Sequence, residues 1–305
     1  DVKKFNQALR SLKPKIIIIL GDRWETISAA VPSIIQNIPI IHLYGGAITE
    51  GAIDEKIRHA VTKFSNAHLV LHKKYQKRII QLGEEKWRTK VIGLDFLNEL
   101  KHQKIMSRKK LYQKIKLSPY KKTFFATFHP VTLEYKKLSS HIKNFLEAIQ
   151  KSDYQCIFTY PNSDVGYKLI VNRINKFILK KKNKYVFLKK LNLSDYASTL
   201  KQCDAVIGNS SMGIVDAAIF KKPVINIGNR QKGKIYSNNI VHSKNTKNSI
   251  LKSIKYIETK KFKKNLKISE NPYKPQKYNL SKFLNSLLVS KKNDIYKKKF
   301  VDLFN

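Results

Sequence analysis

Residues Ala205-Val206-Ile207-Gly208-Asn209-Ser210-Ser211-Met212-Gly213-Ile214-Val215-Asp216-Ala217-Ala218 decide how this chain is read. They form a short apolar strand, a tight turn of small residues and the first turns of a helix. Such a junction aims free backbone N–H groups and the positive end of a helix dipole at one point. Ser210 and Ser211 add hydroxyl donors there, with no bulky side chain in the way, so the turn reads as a phosphate site. Asp216, about two turns into the helix, is placed to accept from a sugar hydroxyl. An ordinary strand-to-helix turn capped by Asn209 or Ser210 explains the same local pattern. The rest of the chain has to choose between the two.

Working outward, this junction sits inside a regular alternation. Strands are expected at 123–128, 156–160, 185–188, 205–207 and 224–227, with helices at about 133–151, 166–179, 194–201 and 213–220. An earlier alternation runs through a helix at 2–12, strands at 16–20, 39–43, 68–72 and 90–92, and helices at 25–36 and 74–82. The apolar run 16–20 shows no alternation, as in a strand buried on both faces. Between the two series, 94–122 is charged and lacks apolar strands, so it reads as the inter-domain region. The expected organisation is two α/β domains with parallel sheets, 1–105 and 106–270, then a C-terminal helix and tail over 271–305. Two such domains in tandem leave a cleft facing the carboxyl ends of both sheets.

Composition narrows the function classes. The chain has 305 residues with 61 Lys+Arg against 21 Asp+Glu, a formal charge of +40. The excess is overwhelmingly lysine and is spread along the whole chain, which fits solvated lysine faces better than a base-reading surface. No specific nucleic-acid partner is expected. No run of 18 apolar residues is present, so no membrane span is expected. Cys156 and Cys203 have no metal-ligand spacing; no metal is expected, and a reduced cytoplasmic compartment fits. The chain opens at Asp1 directly in helix-like sequence, so its N-terminus is expected to be missing.

Several loops that follow strands carry chemistry. The first domain offers Asp22 and Arg23, then Glu50, Asp54, Arg58 and His59; the second offers His129, Asn162, the serine turn and Arg230 with Lys232. Each has a plainer alternative: Asp22 capping the helix at Glu25, Asp54 and Glu55 as first-turn acids, Arg230 as a solvated loop charge. Trp24 and Trp87 read as core, and His42, His68 and His72 as strand packing.

Taken together, Gly-Asp-Arg at 21–23, Gly-Gly at 45–46, Ile-Asp-Glu-Lys-Ile-Arg-His at 53–59, His-Pro-Val-Thr at 129–132, Pro-Asn at 161–162, Gly-Asn-Ser-Ser at 208–211 and Asn-Ile-Gly-Asn-Arg-Gln-Lys-Gly at 226–233 resemble the UDP-N-acetylglucosamine 2-epimerase family, in its hydrolysing, sialic-acid-pathway branch. The resemblance implies a glycosyltransferase-B-like α/β fold, with two Rossmann-like domains and a UDP-sugar between them. It also implies that roughly half of the first domain precedes Asp1. The implied activity releases UDP and a 2-epimerised N-acetylhexosamine from a UDP-N-acetylhexosamine, for nonulosonic acid biosynthesis, with no cofactor and a homodimer at full length. Asp22 and Asp54 match catalytic carboxylates. The full candidate set is Asp22, Asp54, His129 and Glu50 for chemistry, and Arg23, Arg58, Asn162, Ser210, Ser211, Gly213, Asp216 and Arg230 for substrate.

Two departures from the family pattern stand out. Asp216 occupies the place of a glutamate that holds the uridine ribose. His42-Leu43-Tyr44-Gly45-Gly46-Ala47 stands where this branch commonly has His-Ile-Glu-Gly-Gly-Glu or His-Ile-His-Gly-Gly-Glu. Both carboxylate positions are lost there, with Glu50 three residues on as a substitute. A slow or inactive chain is therefore expected. A degraded UDP-sugar binder, a glycosyltransferase on the same scaffold and a basic nucleic-acid-binding protein remain the rival readings.

Overall fold

The structure, a computed structural model, describes residues 1–49, 53–179, 181, 183–289 and 294–302. These residues form two compact units, one from 1–48, 53–95 and the described part of 273–305, the other chiefly from 96–272.

In the first unit β1 (Ile17–Leu20), β2 (Ile40–Leu43), β3 (Ala67–Val70) and β4 (Thr89–Val91) lie side by side in chain order, all parallel. The helices Glu25–Ile35, Asp54–Phe64 and Lys73–Gln81 make the crossovers. One core packs Ile19 and Ile40 against Ala29, Ala30 and Val61. The other packs Ile41, Ala67, Leu69 and Ile92 against Leu287 and Ile295, so the C-terminal segment supplies one wall of this unit. That segment is held by polar bonds as well. The buried Arg88 guanidinium donates to the carbonyls of Asn66, Asp294, Ile295 and Lys297. Lys298 Nζ donates to the carbonyls of Lys63 and Ser65 and pairs with the buried Glu84 at 2.9 Å.

The expectation for 16–20 needs correction. Ile19 is buried, but Ile18 is 46% and Leu20 59% exposed, because β1 pairs only with β2 and nothing among the described residues covers its other face. Trp24, expected in the core, is 54% exposed. His72 is not in a strand; its side chain caps the helix Lys73–Gln81, accepting from Lys74 N–H.

The second unit is a six-stranded parallel sheet in the order β10-β9-β8-β5-β6-β7. Its strands are β5 (Thr123–Thr127), β6 (Gln155–Thr159), β7 (Tyr185–Leu188), β8 (Ala205–Gly208), β9 (Val224–Ile227) and β10 (Ile240–Ser243). The edge strand β10 lies beyond the five strands expected for this unit. Side chains along β5 alternate between two cores. Phe124 and Ala126 join Phe145, Phe158 and Ile254, while Phe125 joins Ile157, Leu200 and Val206. The stretch read as inter-domain contributes the helices Phe96–Lys101 and Arg108–Lys114, whose Leu100, Leu111 and Tyr112 belong to the second of these cores. One buried stripe on two short helices leaves so many charged positions outside that the stretch resembles a linker.

In this order the crossovers diverge on either side of β5, toward β6 in one direction and β8 in the other. A crevice opens at the carboxyl ends where they part. Gly208 ends β8 with φ +137°, and a Cβ there would lie 1.9 Å from the Thr127 carbonyl oxygen. Only glycine lets the two strands finish this close together.

Candidate functional site

At that crevice a cavity of about 320 Å³ is lined by residues from four strand ends. His129 follows β5, Tyr160 and Asn162 follow β6, Lys189 and Lys190 follow β7, and Ser210 and Ser211 follow β8, joined by Arg230 from the loop after β9. The volume lies at the lower end of what a small-molecule pocket needs.

His129 is the best-defined member. Its main chain is clamped by the buried Asn209 side chain, whose Oδ1 accepts from His129 N–H at 2.7 Å and whose Nδ2 donates to His129 O at 2.9 Å. Asn162 N–H donates to His129 Nδ1 at 2.9 Å. An imidazole that accepts at Nδ1 carries its proton on Nε2, so it is a neutral hydrogen-bond donor. Burial, and after it the charge of Arg230, pushes the His129 pKa down to about 3. Geometry and electrostatics therefore agree. The Asn209 carbonyl accepts from Arg230 Nη1 at 3.3 Å and from Gln231 Nε2 at 2.8 Å, which ties the Arg230 loop to the serine turn. In sequence Asn209 reads as a cap or as part of the Gly-Asn-Ser-Ser motif; neither reading shows the clamp on His129.

Ser210 is the actual N-cap, its hydroxyl accepting from Met212 N–H. The helix is shorter than expected. An α-helical turn, Ser211–Val215, passes into a 3-10 turn, Ala217–Phe220, with Asp216 at the joint. Asp216 Oδ2 accepts from the Tyr196 hydroxyl at 2.5 Å. Burial pushes the Asp216 carboxyl up to about 6, against the opposing pull of Tyr196 and Lys234. Tyr196 itself lines the cavity, so Asp216 bonds to a cavity wall residue rather than lining the cavity itself. Gly213 packs against β9, where a Cβ would meet Val224 Cγ1 at 2.8 Å.

The first unit organises its carboxylates around Arg58, which is 1% exposed. Arg58 Nε donates to Asp22 Oδ2 at 2.8 Å, and its Nη2 makes a second bond to the same oxygen. Nη1 donates to Ala47 O at 2.7 Å and to Glu55 Oε2 at 2.5 Å. Asp54 opens the helix Asp54–Phe64, one turn before Arg58 on the same face. Asp22 does not cap the helix at Glu25, whose N-cap is Trp24 with no side-chain bond. The Gly21 carbonyl next to Asp22 accepts from His42 Nε2 at 2.9 Å, and burial lowers the His42 pKa to about 4. Arg23 is solvent-facing, 3.5 Å from Glu25. Glu50 lies outside the described residues.

Tyr44 takes a left-handed backbone, φ +69°, and its ring packs on the cluster of Ile41, Leu69 and Leu287. Burial, then the nearby Asp95, raises its pKa. Gly46, φ +74°, is required by the turn: a Cβ there would lie 2.4 Å from the Tyr75 carbonyl oxygen.

Residues 2–278 match the family described as UDP-N-acetylglucosamine 2-epimerase. A Campylobacter jejuni protein named GDP/UDP-N,N'-diacetylbacillosamine 2-epimerase (hydrolyzing) is 37% identical over 86% of this chain and 68% of its own length. The Escherichia coli polysialic acid biosynthesis protein P7 is 33% identical over 94% of this chain and 73% of its own. Among solved structures, UDP-GlcNAc 2-epimerase from Neisseria meningitidis bound to UDP-GlcNAc shares the fold with a TM-score of 0.77 at 16% identity, covering 90% of this chain and 76% of that one. The two parallel α/β units are thus those of the glycosyltransferase-B-like class, as the motifs implied. With its motif-bearing strand ends in place and the match running through both units, the chain belongs to the UDP-N-acetylglucosamine 2-epimerase family.

Proposed function

We propose that this chain is a hydrolysing 2-epimerase of a UDP-2-acetamido sugar, with UDP-N-acetylglucosamine or UDP-N,N'-diacetylbacillosamine as substrate and nonulosonic acid biosynthesis as destination. The observation that carries the proposal is the cavity wall of neutral donors and cations: His129 Nε2–H, the Ser210 and Ser211 hydroxyls, and Arg230 with Lys189 and Lys190. These groups suit a diphosphate whose charge grows as it departs. Asp22 and Asp54 supply the acid and base. One carboxylate removes the C2 proton, the freed electron pair closes a C1–C2 double bond, and UDP leaves C1. Water then adds across that bond. Its oxygen goes to C1 and a proton to C2 on the opposite face, giving the 2-epimer. Arg58 holds Asp22 in one orientation, which proton transfer requires. The free, buried thiols of Cys156 and Cys203 fit a reducing, cytoplasmic setting.

A second reading, UDP-sugar binding without turnover, is favoured by Tyr44. Its side chain packs into an apolar cluster at a position where the resembling proteins carry a carboxylate or imidazole. Incubation with each UDP-sugar, with released UDP and free sugar followed by NMR, tests the first reading. Calorimetric binding of UDP without release supports the second.

A further inference from the structure

A hollow of about 790 Å³ opens at the amino-terminal ends of β5, β6 and β7. It lies on the edge of the second sheet opposite the cavity, roughly 15 Å away along five-residue strands. Lys121, Lys122, Lys151, Lys184 and Lys255 line it. Its floor is apolar, with Tyr154 stacked on Phe124 at 3.9 Å between ring centres and with Leu251 and Ile254 beside it.

Two carboxylates, Asp153 and Glu258, share the hollow with five ammonium groups. Glu258 is already engaged. It pairs with Lys122 at 2.8 Å and Lys263 at 3.5 Å and accepts from the Tyr154 hydroxyl. Among the described residues no carboxylate lies within ion-pair distance of Lys121, Lys151 or Lys255. Lys184 donates to Ser152 O at 2.8 Å, and burial, then Lys181, lowers its pKa. Lysines such as Lys73, Lys74 and Lys77 stand exposed on a helix face. In the hollow the ammonium groups converge on a concave, apolar-floored site, which focuses positive potential. A single exposed pair binds weakly and is screened by salt, so a ligand must engage several ammonium groups at once.

We propose that this hollow binds an oligophosphate anion, one that presents three or more negative charges within its width. The source is either a soluble oligophosphate or clustered phospholipid headgroups. The proposal does not rest on the function assigned to the cavity.

The test uses the whole chain, inorganic tripolyphosphate and vesicles rich in phosphatidylglycerol. Wild type is compared with K121E/K151E/K255E and with K73E/K74E/K77E, which has the same net charge but its changes on an exposed helix of the first unit. Circular dichroism and thermal melting confirm that all three fold alike. In about 0.1 M salt, a saturable class of tripolyphosphate sites in wild type should persist in the control and weaken at least roughly tenfold in the hollow variant. Binding by the nucleotide cavity survives in both variants and is subtracted. Selective loss of vesicle binding instead assigns the same site to headgroups. Equal loss in both variants, or no loss in either, overturns the proposal.

Discussion

The backbone N–H of Asn162 donates to Nδ1 of His129 at 2.9 Å, so the imidazole keeps its proton on Nε2 and faces the cavity as a neutral donor. This bond spans 33 residues and ties the loop after β5 to the loop after β6.

The folded pKa of His129 is about 3 and that of His42 about 4, both below the unfolded value near 6.5. Between these values the unfolded chain binds more protons, so stability is complete above pH 6.5 and falls as pH drops toward 3–4. Asp216, raised to about 6, works in the opposite sense over its own window. Urea melts across this range should show the net loss on acidification. NMR of His129 should show a neutral ring at pH 5; an imidazolium there would remove the assigned tautomer.

Arg58→Met should destabilise the first unit by about 2–4 kcal/mol, because a buried cation is removed from two carboxylates that stay in place. Asp22 and Glu55 keep some water contact, 30% and 27% exposed, which holds the loss below that of a fully buried pair. The urea midpoint measures it. A change under about 0.5 kcal/mol would show that the network organises nothing.

Arg230→Ala should weaken UDP binding by about 1.5–3 kcal/mol if its guanidinium makes charge-assisted bonds to the diphosphate. Calorimetric titration of UDP reads the difference. Unchanged affinity would make Arg230 a brace for the Asn209 carbonyl and nothing more.

Tyr44→Phe should leave UDP release within about twofold of the parent, because the ring is a packing element and removing its hydroxyl takes away no catalytic group. Steady-state kinetics on a UDP-2-acetamido sugar decides it. A fall of more than roughly a hundredfold would make the phenol an acid or base.

The parts of the fold legible in the sequence are those written in adjacent residues. Short apolar runs mark β5, β6, β8 and β9, and the serine turn follows β8. What escaped depends on contacts between distant residues. Asn209 clamps His129 across 80 positions and Tyr196 bonds Asp216 across 20, and neither pairing leaves a local pattern. Arg58 sits in a motif that suggests a ligand contact, and its bonds to Asp22, Glu55 and the Ala47 carbonyl are pairings that the motif alone does not show. The apolar run 16–20 carries no mark of being open on one face, since that is decided by what packs there.

Deuterium labelling reads the C2 proton transfer itself. The chain is incubated in D2O with UDP-N-acetylglucosamine and, separately, with UDP-N,N'-diacetylbacillosamine, beside Asp22→Asn. UDP and a free sugar inverted at C2 and carrying one deuterium there are expected, with release slowed at least roughly a hundredfold in the variant. Release of UDP with the original proton retained at C2, or no release from either substrate, would contradict hydrolysing 2-epimerisation.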